Sequence, residues 1–424
     1  MKFIVKPSRL SGAIAVPGSK SHTIRALVLS LLADGESVIE NPLFSSDTLS
    51  CRTMIEQFGA TVSQEEDAWT VQGTGGRLSV PENIIDVGNS GTTLYIGIGI
   101  ASLVEGYSVL TGDEQIRNRP ADRLLAAINS LKGEAFSTRQ NGKPPLVIRG
   151  RIQGGRTSIE AVTSQYLTSL LITTPLAPKD TVIEVPLLNE VPYIHMTLGW
   201  LDRLKIAYRN DRLRKFTVLG NQRYRSFREA IPADFSSATF FLVAAAISGS
   251  EITLGGLDFN DTQGDREVVS ILEEMGAEVE RGEREIRIRG KILSGGVFDL
   301  NAIPDALPAL AVAGCCAEGE TRLINVPQAR LKETDRISVM RAELEKMGAR
   351  IEELPDGLII KKSPLRGARL HGHGDHRVVM ALAVAGLVAE GQTEIETAES
   401  VSVTFPNFRE LLQSLGADIT VREE

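Results

Sequence analysis

A pattern that recurs about every 70 residues runs through this chain of 424 residues and limits the folds it can adopt. Short segments rich in β-forming residues follow a small or polar residue at intervals of 70 to 73 residues, starting near Gly35, Gly106, Lys179, Gly249, Gly319 and Gly391. Most are followed by an amphipathic segment with a similar ending: "MIEQFGA", "INSLKGE", "ILEEMGAEV", "ELEKMGARI" and "LLQSLGADI". The third copy, "WLDRLKIAY", lacks the glycine. A fixed period of this length predicts repeated copies of one supersecondary unit.

A second series of segments, in phase with the first, is apolar on nearly every side. Each member follows a predicted strand and a polar turn: "GSKSHTIRALVLSLL", "GNSGTTLYIGIGIA", "VTSQYLTSLLITT", "ADFSSATFFLVAAAI", "IPDALPALAVAGCC" and "GDHRVVMALAVAG". Helices without a polar face are buried. We therefore predict an α/β fold of six βαβ-type units of about 70 residues, each with one buried and one more exposed helix.

Five of the six apolar helices begin with groups that can hold anions or move protons. These groups are Lys20, Ser21 and Arg25; Asn89, Ser90 and Thr92; Thr163, Ser164 and Gln165; Asp305; and Asp375, His376 and Arg377. A helix N-terminus carries about half a positive charge, so cations there are unfavourable unless an anionic ligand shares the site. If the units surround a common axis, these N-termini converge on one anion-binding surface.

Composition excludes several classes of partner. The net charge of −8 argues against a general surface for nucleic acid or anionic membrane, so an anion site must be built locally. Cys51, Cys315 and Cys316 lack a metal-type spacing, and their odd number favours a reducing cytoplasm over a disulfide framework. The initial "MKFIV" is too short for a signal peptide, and no segment approaches the ~20 apolar residues of a membrane span. We expect a cytoplasmic protein without nucleic-acid or membrane partners.

Each polar motif also has an ordinary structural interpretation. "GSKS" fits surface capping of a helix, and it is not a phosphate-binding P-loop because its spacing is wrong. "KETDR" fits a solvated helix face on which Glu333 pairs with Arg336. "HGHGDH" fits a metal site or a structural turn, and Asp305 fits a helix N-cap. Only the joint occurrence of these motifs favours a functional interpretation.

Nine motifs in order along the whole chain resemble those of the 5-enolpyruvylshikimate-3-phosphate synthases, a family of enolpyruvyl transferases. They are "VPGSKSHTIRAL", "GNSGTT", "TGDEQIRNRP", "TSQYLTSLL", "PADFSSATFFLVAAA", "IPDALPALAV", "RLKETDR", "GDHRVVMALAVAG" and "TFPNF". The resemblance implies an inside-out α/β barrel in each of two domains of three repeats, with the active site in the cleft between them and closure on substrate. It places residues 1–18 and 234–424 in one domain and 19–233 in the other.

The resemblance also implies a reaction and its residues. The family joins phosphoenolpyruvate to the 5-hydroxyl of shikimate 3-phosphate by addition and elimination, and it needs no metal or organic cofactor. Asp305 would accept the hydroxyl proton, and Lys20 and Glu333 would serve protonation of the methylene carbon. Phosphoenolpyruvate would be held by Lys20, Gly91, Arg119, Gln165, Arg336 and Arg377. The acceptor would be held by Ser21, Arg25, Thr163, Ser164, Tyr193, Gln328 and Lys332.

The chain departs from the family pattern at four positions. Tyr95 replaces a usual arginine, Glu190 a common serine, Val403 a frequent lysine and Gln328 an asparagine. Glu190 is expected near the acceptor phosphate, so either it turns away as a solvated loop residue or pairs with a cation such as Lys332, or the acceptor carries no phosphate there.

Three hypotheses follow. The chain is the shikimate-pathway enzyme, a paralogue that acts on an unphosphorylated ring alcohol, or a non-catalytic protein that binds a small anion. We expect a monomer with small-molecule partners.

Overall fold

The computed structural model describes residues 1–423. Its α-helices are α1 (Lys20–Leu32), α2 (Ser46–Gln57), α3 (Gly91–Ala101), α4 (Asp122–Ser130), α5 (Ser164–Thr173), α6 (Val191–Arg203), α7 (Phe235–Ser248), α8 (Glu267–Met275), α9 (Leu307–Cys316), α10 (Arg336–Lys346), α11 (His376–Gly386) and α12 (Phe408–Ser414).

The strands are β1 (Lys2–Lys6), β2 (Ser11–Ala15), β3 (Ala33–Asp34), β4 (Glu36–Glu40), β5 (Thr61–Gln64), β6 (Ala68–Gln72), β7 (Ile85–Asp86), β8 (Tyr107–Thr111), β9 (Glu134–Ser137), β10 (Leu146–Arg149), β11 (Gly155–Ala161), β12 (Thr181–Leu188), β13 (Tyr208–Asp211), β14 (Lys215–Val218), β15 (Tyr224–Arg225), β16 (Arg228–Ala230), β17 (Glu251–Gly255), β18 (Glu278–Arg281), β19 (Glu285–Arg289), β20 (Val297–Asp299), β21 (Glu320–Ile324), β22 (Arg350–Leu354), β23 (Gly357–Lys361), β24 (Arg369–His371), β25 (Thr393–Glu396) and β26 (Asp418–Arg422).

The chain forms two compact units, each with its own hydrophobic core. Unit 1 comprises Met1–Ser19 and the segment that begins at Pro232, and unit 2 comprises Lys20–Ile231. The four-stranded sheets of unit 1 have the orders β24-β25-β1-β26, β18-β19-β17-β2 and β20-β21-β23-β22. Those of unit 2 have the orders β7-β8-β10-β9, β11-β12-β14-β13 and β16-β4-β6-β5, beside the small sheet β15-β3. The predicted mixed α/β class is confirmed.

Every four-stranded sheet contains one parallel pair, and its other neighbours are antiparallel. In four sheets a buried helix connects the two parallel strands, as α3 connects β7 to β8. The other two sheets exchange strands: β2 precedes α1 but pairs with β17, and β16 precedes α7 but pairs with β4. The chain thus completes one repeat of each unit with two distant segments.

The odd-numbered helices α1, α3, α5, α7, α9 and α11 are the apolar segments predicted from the sequence. Every residue of α3 and of α11 is buried. The even-numbered helices are amphipathic or polar; α4, for example, buries four of its nine residues. Because the buried helices begin with polar side chains, each unit carries polar groups at the end of an apolar core.

Within residues 1–423, no helix combines the length and apolar character that crossing a membrane requires. The same residues contain no group of three or more histidine, cysteine, aspartate or glutamate side chains that could hold a metal ion.

Candidate active site

Arg336, at the start of α10, lies among three carboxylates of unit 1 and is 1% exposed. Its Nε donates a hydrogen bond to Asp375 Oδ2 at 2.9 Å, its Nη1 to Asp305 Oδ1 at 2.8 Å and its Nη2 to Glu333 Oε2 at 2.5 Å. Burial alone would lower the pKa of Arg336, but the charges of Asp375, Glu333 and Asp305 outweigh it and raise the pKa. The guanidinium therefore holds these carboxylates together as a permanent cation.

Two further cations share Asp305. Arg377 Nη2 lies 3.1 Å from Asp305 Oδ2, and Lys332 Nζ lies 3.9 Å from Asp305 Oδ1. Asp375 fixes the start of α11, because its Oδ1 accepts a hydrogen bond from the Arg377 backbone nitrogen at 2.9 Å. The side chains of Asp305 and Lys332 keep 17% and 14% of their surface exposed. The cluster thus joins a solvent-accessible carboxylate to three cations able to hold an anion.

Asp265, which the sequence analysis did not select, lies in the same region of unit 1. It is 2% exposed and accepts a short hydrogen bond from Ser236 Oγ in the first turn of α7. Burial first, and then the negative charge of Asp305, raise the pKa of Asp265 to about 6. A carboxyl group that titrates near neutrality therefore lies within electrostatic reach of the predicted proton acceptor.

In unit 2, Lys20 is the first residue of α1 and its side chain is 15% exposed. Its Nζ lies 3.1 Å from Oδ2 of the buried Asp47 in the first turn of α2. A partly buried cation paired in this way is held in one orientation while part of its surface remains accessible.

Arg119 packs against the start of α3. A Cβ atom at Gly91 would lie 3.2 Å from Arg119 Nη1, so glycine allows the guanidinium to approach the helix backbone closely. Tyr95 and Tyr166 both donate hydrogen bonds to the carbonyl of Pro120, at 3.0 and 2.6 Å. Tyr95, which replaces the family's arginine, therefore fixes the backbone next to Arg119.

Gln165 is joined to the same region of unit 2, because its Nε2 donates to Thr92 Oγ1 at 2.8 Å. Thr92 lies in the first turn of α3, directly after Gly91. Of the residues of unit 2 that are predicted to bind phosphoenolpyruvate, Gly91, Arg119 and Gln165 have contacts at the start of α3. Lys20 instead forms a separate pair with Asp47.

Arg25 is also 1% exposed, but its hydrogen-bond partners are uncharged. Its Nε donates to Thr197 Oγ1 at 3.0 Å, its Nη1 to the Ser21 carbonyl at 2.9 Å and its Nη2 to the Tyr193 carbonyl at 3.2 Å. Burial lowers the pKa of Arg25 to about 10. This predicted acceptor-binding residue already joins α1 to α6 through two of its nitrogens, Nε and Nη2, whereas Nη1 stays within α1.

Glu190, just before α6, holds the start of α5. Its Oε2 accepts hydrogen bonds from Thr163 Oγ1 at 3.0 Å, from the Ser164 backbone nitrogen at 3.0 Å and from Ser164 Oγ at 2.8 Å. The side chain is buried, and the backbone is left-handed with φ of 57°. The expectation of a solvated loop glutamate is wrong, because hydroxyls and a helix N-terminus provide a better environment for the carboxylate than the loop surface.

Other interpretations are corrected as well. Asp305 is not the N-cap of α9, because it lies in the short helix Pro304–Ala306 and its carboxylate pairs with Arg336 and Arg377. The "KETDR" segment is not a solvated face, although Glu333 does pair with Arg336. In "HGHGDH", His373 Nε2 lies 2.8 Å from Oε1 of the buried Glu343. Within residues 1–423, this histidine is not part of a group of three or more side chains that could hold a metal ion.

Gln328 is buried, and its Nε2 donates to the Asn301 carbonyl at 2.9 Å. Val403 ends the short helix Ala398–Val403 and is half-buried. Val403 carries no charge where the family frequently has a lysine, and the amide nitrogen of Gln328 is held by a backbone carbonyl.

The repeat itself contains a signal for the residues that were missed. Asp47 and Asp265 follow the strand that comes after a buried helix, and they lie at or just before the start of the next, more exposed helix: Asp47 in the first turn of α2 and Asp265 two residues before α8. Arg119, Glu190 and the Lys332–Arg336 segment occupy the same place in their own repeats. Aligning the six repeats on their strands, in addition to their buried helices, would have selected Asp47 and Asp265.

Comparison with known proteins agrees with this geometry. Residues 4–412 match the sequence model of the family described as EPSP synthase (3-phosphoshikimate 1-carboxyvinyltransferase). The 3-phosphoshikimate 1-carboxyvinyltransferase of Acetivibrio thermocellus is 58% identical over 423 residues, which is 100% of both chains, and that of Ruminiclostridium cellulolyticum is 55% identical over 98% of both. The EPSP synthase structure from Acinetobacter baumannii has a TM-score of 0.83 at 28% identity and covers 100% of both chains. The chain therefore belongs to the EPSP synthase family.

Proposed function

We propose that this chain transfers the enolpyruvyl group of phosphoenolpyruvate to the 5-hydroxyl of shikimate 3-phosphate and releases phosphate. This is the shikimate-pathway step that leads toward chorismate and the aromatic amino acids. The observation that carries the proposal is the Arg336 cluster, in which a solvent-accessible carboxylate lies beside three cations. The full-length identity of 58% with a relative named for this reaction supports the same assignment.

The reaction makes three demands on the protein. In the addition step the acceptor hydroxyl loses its proton, its oxygen bonds to C2 of phosphoenolpyruvate, and C3 gains a proton. In the elimination step C3 loses a proton and the C2–O bond to phosphate breaks. The protein must supply a proton acceptor, a proton donor and cations for two anionic substrates. The reaction involves no net oxidation or reduction, so the two substrates account for all bonds made and broken.

Asp305 is the proposed proton acceptor for the hydroxyl. In the absence of ligand, its carboxylate is held by Arg336 and Arg377. The carboxylate or phosphate of phosphoenolpyruvate, bound to these arginines, would compete for their N–H donors. Asp305 would then be a better proton acceptor when the substrate is present.

Lys20 and Glu333 are the proposed groups for protonation at C3. Each is partly buried and paired with an opposite charge, Lys20 with Asp47 and Glu333 with Arg336. Such pairs fix the orientation of a group before the substrate arrives, which is the main contribution that positioning makes to a proton transfer. Under this proposal residues from both units act on one pair of substrates.

The remaining predicted residues are assigned to binding. Phosphoenolpyruvate would be held by Lys20, Gly91, Arg119, Gln165, Arg336 and Arg377. Shikimate 3-phosphate would be held by Ser21, Arg25, Thr163, Ser164, Tyr193, Gln328 and Lys332. We extend the proposal to an inside-out α/β barrel of three repeats in each domain, with residues 1–18 and 234–424 in one and 19–233 in the other. The chain would act as a cytoplasmic monomer without a cofactor.

One observation favours a second candidate. The carboxylate of Glu190 accepts hydrogen bonds from the hydroxyls of Thr163 and Ser164, which are assigned to the acceptor. An enolpyruvyl transferase that acts on an unphosphorylated ring alcohol would need no anion site there.

Phosphate release from phosphoenolpyruvate separates the two candidates. The purified chain is assayed with shikimate 3-phosphate, with shikimate and with neither acceptor. We expect release only with shikimate 3-phosphate, accompanied by an enolpyruvyl ether of matching mass. Release with shikimate alone would establish the second candidate, and no release with either acceptor would contradict both.

A further inference from the structure

We propose that Glu190 is a built-in competitor of the acceptor phosphate and therefore a specificity-determining residue of this chain. The inference rests on the proposed function, because it takes the phosphorylated acceptor as the ligand. Its basis is the contact set of one oxygen atom. Glu190 Oε2 accepts hydrogen bonds from two hydroxyls and one backbone N–H at the start of α5.

These three donors suit any oxyanion. Hydroxyl groups and the exposed N–H groups of a helix N-terminus bind a carboxylate and a phosphate in the same way, and the helix dipole favours either charge. Only one oxyanion can use them at a time. Two unit charges at 4 Å repel strongly in a partly buried environment, so a bound phosphate and the Glu190 carboxylate exclude each other.

The backbone conformation of Glu190 is unfavourable for a residue with a full side chain, so the position of Glu190 depends on the contacts of that side chain. Its φ of 57° and ψ of 44° place a residue with a full side chain in the left-handed region, where only glycine, asparagine and aspartate are common. Such a conformation persists when its surroundings hold it. The hydrogen bonds to Thr163 and Ser164 are contacts that hold it, and a phosphate that takes them over would release the strain.

Competition of this kind lowers the apparent affinity for the phosphorylated acceptor. The site is available only in the fraction of molecules in which Glu190 has left, and the apparent Kd rises by the inverse of that fraction. Three hydrogen bonds to a charged carboxylate keep Glu190 in the site in most molecules. Neutralising or shortening Glu190 should therefore tighten binding of shikimate 3-phosphate by about tenfold to a hundredfold. Binding of shikimate, which has no phosphate, should stay unchanged.

The test is isothermal titration calorimetry of the full chain with shikimate 3-phosphate and, separately, with shikimate. Glu190→Gln removes the charge at constant size and can still accept a hydrogen bond from Ser164. Glu190→Asn is shorter and tolerates the left-handed backbone. Glu184→Gln, on the exposed part of β12, is the matched control for the loss of one carboxylate. Thermal unfolding of each variant shows that it is folded.

The inference predicts tighter binding of shikimate 3-phosphate by both Glu190 variants, unchanged binding of shikimate, and wild-type values for Glu184→Gln. Unchanged or weaker binding of shikimate 3-phosphate by folded Glu190→Gln would overturn it and would identify Glu190 as a fixed cap of α5. The proposed function is judged separately by turnover of the wild type. A wild type active with shikimate 3-phosphate whose Glu190 variants bind it no better rejects this inference alone.

Discussion

Arg25 in unit 2 and Arg336 in unit 1 are equally buried, at 1% exposure, yet their surroundings differ. Arg336 contacts three carboxylates and has a raised pKa. Arg25 donates to hydroxyls and carbonyls, and burial lowers its pKa to about 10. The difference indicates two uses of a buried cation. Arg336 holds carboxylates whose place at its N–H donors an anionic ligand could take. Arg25 joins α1 to α6 through hydrogen bonds to neutral groups.

The comparison predicts that the chemistry depends on the carboxylates around Arg336. Asp305→Asn keeps the size and polarity of the side chain but removes the proton acceptor. We expect turnover to fall by roughly two to four orders of magnitude while both substrates still bind. Phosphate release measures turnover, and calorimetry measures binding. The exposed Asp67→Asn is the control. Turnover near the wild-type rate would show that the hydroxyl proton goes to another group.

Stability should separate the two arginines directly. Arg336→Met leaves three carboxylates without their shared cation, which should lower the free energy of unfolding by about 3–5 kcal/mol. Arg25→Met leaves only neutral groups unpaired and should lower it by about 1–3 kcal/mol. Urea unfolding followed by circular dichroism gives both values. Equal losses for the two variants would remove the distinction between the two environments.

Two cations of unit 2, Lys20 and Arg119, should contribute to the binding of phosphoenolpyruvate. Lys20→Ala and Arg119→Ala each remove a cation assigned to phosphoenolpyruvate, and we expect its Kd to rise roughly tenfold to a hundredfold. The exposed Lys179→Ala provides the control for a lost positive charge. If phosphoenolpyruvate binds both variants as tightly as the wild type, its anionic groups are held elsewhere.

The smallest expected effect is a pH dependence that originates at Asp265. Burial, with the charge of Asp305, raises the pKa of this carboxyl to about 6 in the folded state from 3.8. Because the folded state then holds the proton more tightly, the stabilising contribution is complete below pH 4 and is lost as the pH rises through 6. Asp265→Asn should therefore gain in melting temperature relative to the wild type between pH 4.5 and pH 7.5. A difference in melting temperature that does not change with pH would contradict the raised pKa.

Much of the fold was predictable because its signal is local and repeated. The six buried helices follow from segments that are apolar on nearly every side, and α3 and α11 are buried along their whole length. The 70-residue period located the polar residues at the helix starts for the same reason. Strand exchange between β2 and β16 was not predictable from periodicity, because each strand pairs with a segment far away in the sequence.

The site was less accessible from the sequence because its contacts are not local. Arg336 meets Asp305 and Asp375 across 31 and 39 residues, and only its pairing with Glu333 is visible as a short spacing. Glu190 reaches Ser164 across 26 residues from a left-handed backbone that no sequence pattern around it requires. Charge pairing at such separations depends on how the repeats pack.

The most direct test of the proposed reaction is to run it in D2O and to measure deuterium in the product by mass spectrometry. Addition places a solvent-derived proton on C3 of phosphoenolpyruvate and forms a methyl group, and elimination then removes one of its three hydrogens. The account predicts an enolpyruvyl product of shikimate 3-phosphate that carries deuterium in its methylene group. A product formed at the same rate without deuterium would contradict addition and elimination.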